Sequence, residues 1–132
     1  MTRKESREQA FVLLFEYSFN KETVQELLNS AREAEIYKED EFCEKLVTTA
    51  IENIDELDAQ IGEYSSGWST NRISKVVLAA LRLALTEIKY FDDIPASVSA
   101  NEAVEIIKKF ATEQDASYAN GILGSIIRKD RD

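Results

Sequence analysis

A single proline and four glycines punctuate 132 residues, so little in this chain stops a helix once it has started. Apolar residues recur at intervals of three and four throughout, the period of one helix face, and no stretch alternates as a strand would. The fold class that follows is all-α, with six or seven helices in one domain spanning residues 1–132.

The helix boundaries follow from capping chemistry. Thr2-Arg3-Lys4-Glu5 fits a capping box and opens a helix that presents Ala10, Leu13, Leu14 and Tyr17 on one face. Asn20 to Thr23 breaks it, and Thr23-Val24-Gln25-Glu26 is a second capping box, starting a short helix toward Ile36. From Glu39 an apolar stripe runs through Cys43, Val47, Ala50, Ile54, Leu57, Ile61 and Tyr64, on one helix or on two joined near Asn53. Gly67 suits the left-handed position after its end. Ile73 to Phe91 is the most apolar stretch and is expected to be the central helix, where alanines 79, 80 and 84 permit close approach. Asp92-Asp93-Ile94-Pro95 reads as a turn into a helix ending at Phe110, with Ser99, Ala103, Ile106 and Phe110 inward. The last helix carries Ile122, Leu123, Ile126 and Ile127, and Asp115 or Ser117 is placed to cap it. Gly121 and Gly124 inside it predict that another helix packs closely there.

Charge is unevenly distributed. The net −9 lies wholly in residues 20–64, which hold four basic and thirteen acidic groups, while both flanking segments are balanced. The extreme tips lean basic, with Arg3, Lys4 and Arg7 at one end and Arg128, Lys129 and Arg131 at the other. Tips brought together by folding would meet a polyanion, and the acidic segment would face elsewhere or dock a basic protein. There is no histidine, which removes the commonest general base and zinc ligand, and the carboxylates show no calcium-loop spacing. No phosphate-binding glycine loop is present. No enzyme activity, metal or cofactor is therefore expected. With one cysteine and no apolar leader, the expected compartment is the cytoplasm.

Arg82 lies among aliphatic residues and must be paired, with Glu102 the expected partner. Basic groups stand beside aromatics at two places: Arg3, Lys4 and Arg7 ahead of Phe11 and Phe15, and Lys108 and Lys109 beside Phe110 and Tyr118. Rings that stack on bases beside cations that meet phosphates suit single-stranded RNA.

Several segments, in order, resemble the NusB family. They are Arg3-Lys4 with Arg7-Glu8-Gln9-Ala10 and Leu14-Phe15; Trp68 and Arg72; and Leu81-Arg82-Leu83-Ala84-Leu85-Thr86-Glu87-Ile88. Ile94-Pro95, Asn101-Glu102-Ala103-Val104-Glu105, Lys108-Lys109-Phe110 and Tyr118-Ala119-Asn120-Gly121-Ile122-Leu123 complete the pattern. The resemblance implies two small helical bundles packed together. It also implies a transcription antitermination factor that binds single-stranded boxA RNA of ribosomal RNA leaders with NusE and acts on elongating RNA polymerase with other Nus factors. Carried over by position, Arg3, Lys4, Arg7, Lys108, Phe110 and Tyr118 would contact RNA. Phe15, Phe19 and the exposed face of the central helix around Val77 would meet NusE. A homodimer is compatible with these features. The competing reading is a non-catalytic helical interaction module whose acidic segment docks a basic partner.

Overall fold

The computed structural model describes residues 1–65 and 72–131. Among them are seven helices and no strand: α1 (Arg3–Tyr17), α2 (Val24–Glu33), α3 (Glu41–Glu52), α4 (Ile54–Tyr64), α5 (Lys75–Tyr90), α6 (Ala96–Phe110) and α7 (Glu113–Arg131). The helix end expected at Gly67 and the motif residue Trp68 lie outside the described residues.

Both capping boxes form. Thr2 Oγ1 accepts from Glu5 N at 3.1 Å while Glu5 Oε1 accepts from Thr2 N, and Thr23 and Glu26 repeat the exchange before α2. The long apolar stripe is two helices. Asn53 leaves helical geometry at φ −117°, and its Nδ2 donates to Thr49 O at 2.8 Å, a side-chain bond that competes with continuation of the backbone ladder. The last helix starts earlier than Asp115 or Ser117 would place it, because Thr112 Oγ1 accepts from Asp115 N at 3.0 Å. Only two residues therefore separate α6 from α7.

Helices α1, α2 and α3 pack on one another, and α4 to α7 form a second group. The centre is α5, whose residues are all buried from Val77 to Glu87. A helix apolar on nearly every side has no solvent face. Here α1 and α3 cover one side of α5, with α4, α6 and α7 around the rest. Ala79, Ala80 and Ala84 let these neighbours approach, and Leu81, Leu83 and Leu85 fill the gaps. Each such leucine contributes roughly 1.5–3 kcal/mol of burial free energy. Among the described residues, the close approach expected at Gly121 and Gly124 does not occur. A Cβ at Gly121 would meet nothing within 4 Å, and one at Gly124 would touch only Arg128 Nη1 of its own helix, at 3.2 Å.

Candidate nucleic-acid interface

Phe11, Phe15 and Phe19 are four residues apart, so α1 and the turn after it set them in a row along one face. Phe110, the last residue of α6, stacks on Phe11 with centroids 5.3 Å apart. Phe15 follows Phe11 at 6.4 Å, and Phe19 meets Phe15 edge-on at 5.0 Å. The middle of this ladder is covered and its ends are open, with Phe110 44% and Phe19 56% exposed. A lysine stands over each open end. Lys109 Nζ is 5.4 Å from the Phe110 ring and Lys75 Nζ 5.1 Å from Phe19. Lys109 also pairs with Glu8 at 2.6 Å, tying α6 to α1, whereas Lys108 leans on Glu105 one turn back at 3.5 Å. Lys75 is not legible as part of this surface from sequence, because only the packing of α5 on α1 brings it to Phe19.

Tyr118 lies in the second turn of α7 and is half-buried. It lines a cleft of about 310 Å³ with Arg72, Ser74, Val77, Gln114 and Asp115. Its hydroxyl is shielded from water with no hydrogen-bond partner among the described residues, and burial pushes its pKa up. Val77 is only 2% exposed and belongs to the packed wall of α5. This corrects its placement on an exposed, partner-facing helix surface, since α5 has no free face around it. Phe15 is half-buried and Phe19 exposed on the same side of α1.

At the N-terminus, Arg3 and Lys4 are exposed. The Arg3 guanidinium lies 3.8 Å above the Phe42 ring, and Lys4 stands 3.9 Å from Glu102. Arg7 does not join them. It is 5% exposed and its Nε donates to Glu87 Oε2 at 2.7 Å, while Ser99 Oγ donates to Glu87 Oε1 at 2.9 Å. A phosphate contact from Arg7 is thus replaced by a buried pair that binds α1 to α5 and, through Ser99, to α6. The two basic tips also rest on different helices, Arg3 at the start of α3 and Lys129 near Tyr64 at the end of α4.

Arg82 is paired, as an embedded guanidinium must be, but with Asp58 of α4. Its Nε and Nη2 donate to Oδ1 and Oδ2 at 2.9 and 2.7 Å, and Nη1 reaches Ser18 Oγ at 3.4 Å. Glu102 is excluded by helix geometry. Positions 82 and 87 are five apart, about 140° around the helix, and α6 lies on the Glu87 side. Among the described residues no cluster of histidine, cysteine, aspartate or glutamate could hold a metal ion. Cys43 is buried in the core, and desolvation pushes its thiol up to about 11. The arrangement offers exposed rings with cations beside them.

The NusB family model matches residues 4–128. The transcription antitermination protein NusB of Natranaerobius thermophilus is 40% identical over 131 residues, covering 96% of this chain and 94% of its own. That of Clostridium acetobutylicum is 41% identical over 134 residues, covering 100% and 99%. Among solved structures, a crystal structure of the antitermination factors NusB and NusE in complex with dsRNA superposes with a TM-score of 0.85 at 29% identity, covering 96% of both chains. The NusB of T. maritima does so with a TM-score of 0.82 at 32% identity, covering 97% and 92%. With a family model that spans nearly all of its length, and with relatives near 40% identity from end to end, this chain belongs to the NusB family.

Proposed function

We propose that this protein is a transcription antitermination factor that binds RNA jointly with NusE and acts on the elongating RNA polymerase with other Nus factors. The observation that carries the reading is the open Phe110 end of the aromatic ladder with Lys109 over it, on a chain whose solved relative holds NusE and dsRNA. Exposed rings stack on bases without regard to sequence, and the lysines beside them meet the phosphates.

In this reading the target is the single-stranded boxA segment of ribosomal RNA leaders. Phe110 and Tyr118 supply stacking surfaces, and Arg3, Lys4 and Lys108, with Lys109 added, supply phosphate contacts. Phe15 and Phe19 meet NusE. The chain works as one unit over residues 1–132, in the cytoplasm and without catalysis; among the described residues, no helix is long and apolar enough to cross a membrane.

The test is retention of a boxA-containing RNA by this protein with and without its own NusE, at several salt concentrations. Joint retention that exceeds either protein alone, and that a scrambled RNA does not reproduce, supports the reading. Equal retention of boxA and scrambled strands would remove the boxA assignment, and no retention at all would remove RNA binding. A duplex of the same sequence, run alongside, separates single-strand from double-strand recognition.

A further inference from the structure

The acidic segment carries a cleft of about 270 Å³ where α2 packs on α1, far in chemistry from the aromatic ladder. Leu13, Leu27 and Ala31 form its buried apolar floor, and Ile36, just after α2, stands at its edge 50% exposed. Ile36 is held there by a defined backbone motif. Its N–H donates to Ala31 O at 3.0 Å and the Glu35 N–H donates to Arg32 O at 3.0 Å, the paired bonds of a Schellman helix end. The motif requires a left-handed residue, and Glu35 takes that role at φ 58°, a conformation that side chains beyond glycine disfavour. The following segment is tied down on both sides. Gln9 Nε2 donates to Lys38 O and Gln9 Oε1 accepts from Lys38 N, each at 2.9 Å, and Tyr37 is buried. A large apolar side chain is therefore fixed in water beside an apolar floor.

Two carboxylates rim the same cleft. Glu22 Oε2 is shielded from water and has no hydrogen-bond partner among the described residues, and Glu16 is exposed. Among the described residues neither forms an ion pair. An unpaired, partly desolvated carboxylate is stabilised by an incoming cation, and the segment that holds the whole net charge repels a polyanion from this face.

We propose that this cleft docks a short segment of a protein partner that presents one or two large apolar side chains flanked by lysine or arginine. The apolar side chain covers Ile36 and Ala31, and the cations neutralise Glu16 and Glu22. This site is separate from the RNA surface and would stand if the boxA reading fell.

The experiment titrates the ¹⁵N-labelled full chain with a twelve-residue amphipathic peptide of leucine and lysine, with its leucine–glutamate counterpart, and with a single-stranded RNA. The lysine peptide is expected to shift amides between Leu27 and Lys38 to saturation, and the other two probes to leave them unmoved. The E16Q/E22Q double variant is expected to bind about tenfold more weakly, the loss of two complementary charges at a rim. Ile36→Ser should weaken binding comparably while raising no shift elsewhere. The proposal is overturned by affinity unchanged in E16Q/E22Q, by shifts centred on Phe110 and Tyr118, or by no saturation below about 1 mM. RNA shifts at this cleft would overturn it too, as would a cleft already closed by a second copy of the chain in sedimentation. Both glutamates lie outside the apolar core, so the double variant decides the question even if Ile36→Ser folds poorly.

Discussion

Arg7 and Glu87, 80 positions apart in sequence, form a 2.7 Å ion pair withdrawn from water. With Ser99 on the other carboxylate oxygen, the pair joins α1, α5 and α6 at one point. Removing one partner of such a pair strands a buried charge, which costs about 3–5 kcal/mol. Arg7→Ala should lower stability by that amount in urea denaturation, read from the midpoint at constant slope. The part of it that remains folded should retain its RNA affinity and its salt dependence. A flattened salt slope in Arg7→Ala, with little stability lost, would return Arg7 to the phosphate-binding set.

A second pair is decided by a double-mutant cycle. Arg82→Ala is expected to cost about 3 kcal/mol, at the lower end for a broken buried pair because Asp58 keeps 24% of its side chain in water. Coupling between Arg82 and Asp58 should exceed about 1 kcal/mol, whereas coupling between Arg82 and Glu102 should vanish. Glu102 faces Lys4 on the surface at 3.9 Å, a contact worth at most about 1 kcal/mol. Coupling that appears with Glu102 instead would contradict the geometry.

What the sequence revealed and what it concealed divide along local and nonlocal physics. Capping at Thr2 and Thr23, the inward face of α1 and the central place of the helix within Ile73 to Phe91 depend on residues within a few positions, and each was legible. That Arg82 needs a partner was equally legible, because desolvation is a property of its neighbours in the chain. Which partner it finds depends on the angular position of α4 and α6 around α5, which no linear spacing records. The same holds for the site. The open ring of Phe110 could be suspected from Lys108 and Lys109 beside it, but Lys75 over Phe19, the burial of Arg7 and the inward turn of Val77 arise only when the other helices are set around α5.

Backbone chemistry supplies a prediction with two opposite substitutions. Glu35 occupies the left-handed region at φ 58°, so Glu35→Gly should stabilise by about 1 kcal/mol. Gly121 lies within α7, and among the described residues a Cβ there would meet nothing within 4 Å, so Gly121→Ala should also stabilise by about 0.5–1 kcal/mol. Thermal melts of both single variants and their combination check this, and the effects should add because the sites share no partner. A melting temperature lowered by Gly121→Ala would mean that something packs against that face.

Cys43 gives a pH-dependent prediction. Its folded thiol is raised to about 11 by desolvation, above the unfolded value near 9. Below about pH 9 the thiol is neutral in both states and its contribution is fully present. Between about 9 and 11 the unfolded chain ionises first, binds fewer protons, and stability falls as pH rises. The difference between the folded and unfolded thiol corresponds to about 2–3 kcal/mol. The difference in alkaline stability slope between the parent protein and Cys43→Ala isolates this group from the tyrosines. Native protein at pH 8 should also resist thiol alkylation until it unfolds, and rapid labelling at that pH would show the core to be open.

The two aromatic positions of the proposed RNA surface should respond differently. Phe110 lies against Phe11 with nearly half its surface in water, so Phe110→Ala should cost about 1 kcal/mol of stability. The same change should weaken RNA binding by about 1–3 kcal/mol, or roughly 5- to 150-fold, if a base stacks there. Tyr118 is half-buried with its ring on a cleft wall and its hydroxyl shielded without a partner among the described residues. Tyr118→Phe removes an unsatisfied polar group, so the melting temperature should stay level or rise. RNA affinity then separates two uses of the residue. If only the ring stacks, Tyr118→Phe binds RNA like the parent and Tyr118→Ala loses about as much as Phe110→Ala. If the hydroxyl pairs with a base or phosphate entering the cleft, Tyr118→Phe alone loses affinity while gaining stability. Should Phe110→Ala and Tyr118→Ala both leave RNA retention intact in folded protein, the stacking surface lies elsewhere and the aromatic ladder is left as packing between α1 and α6.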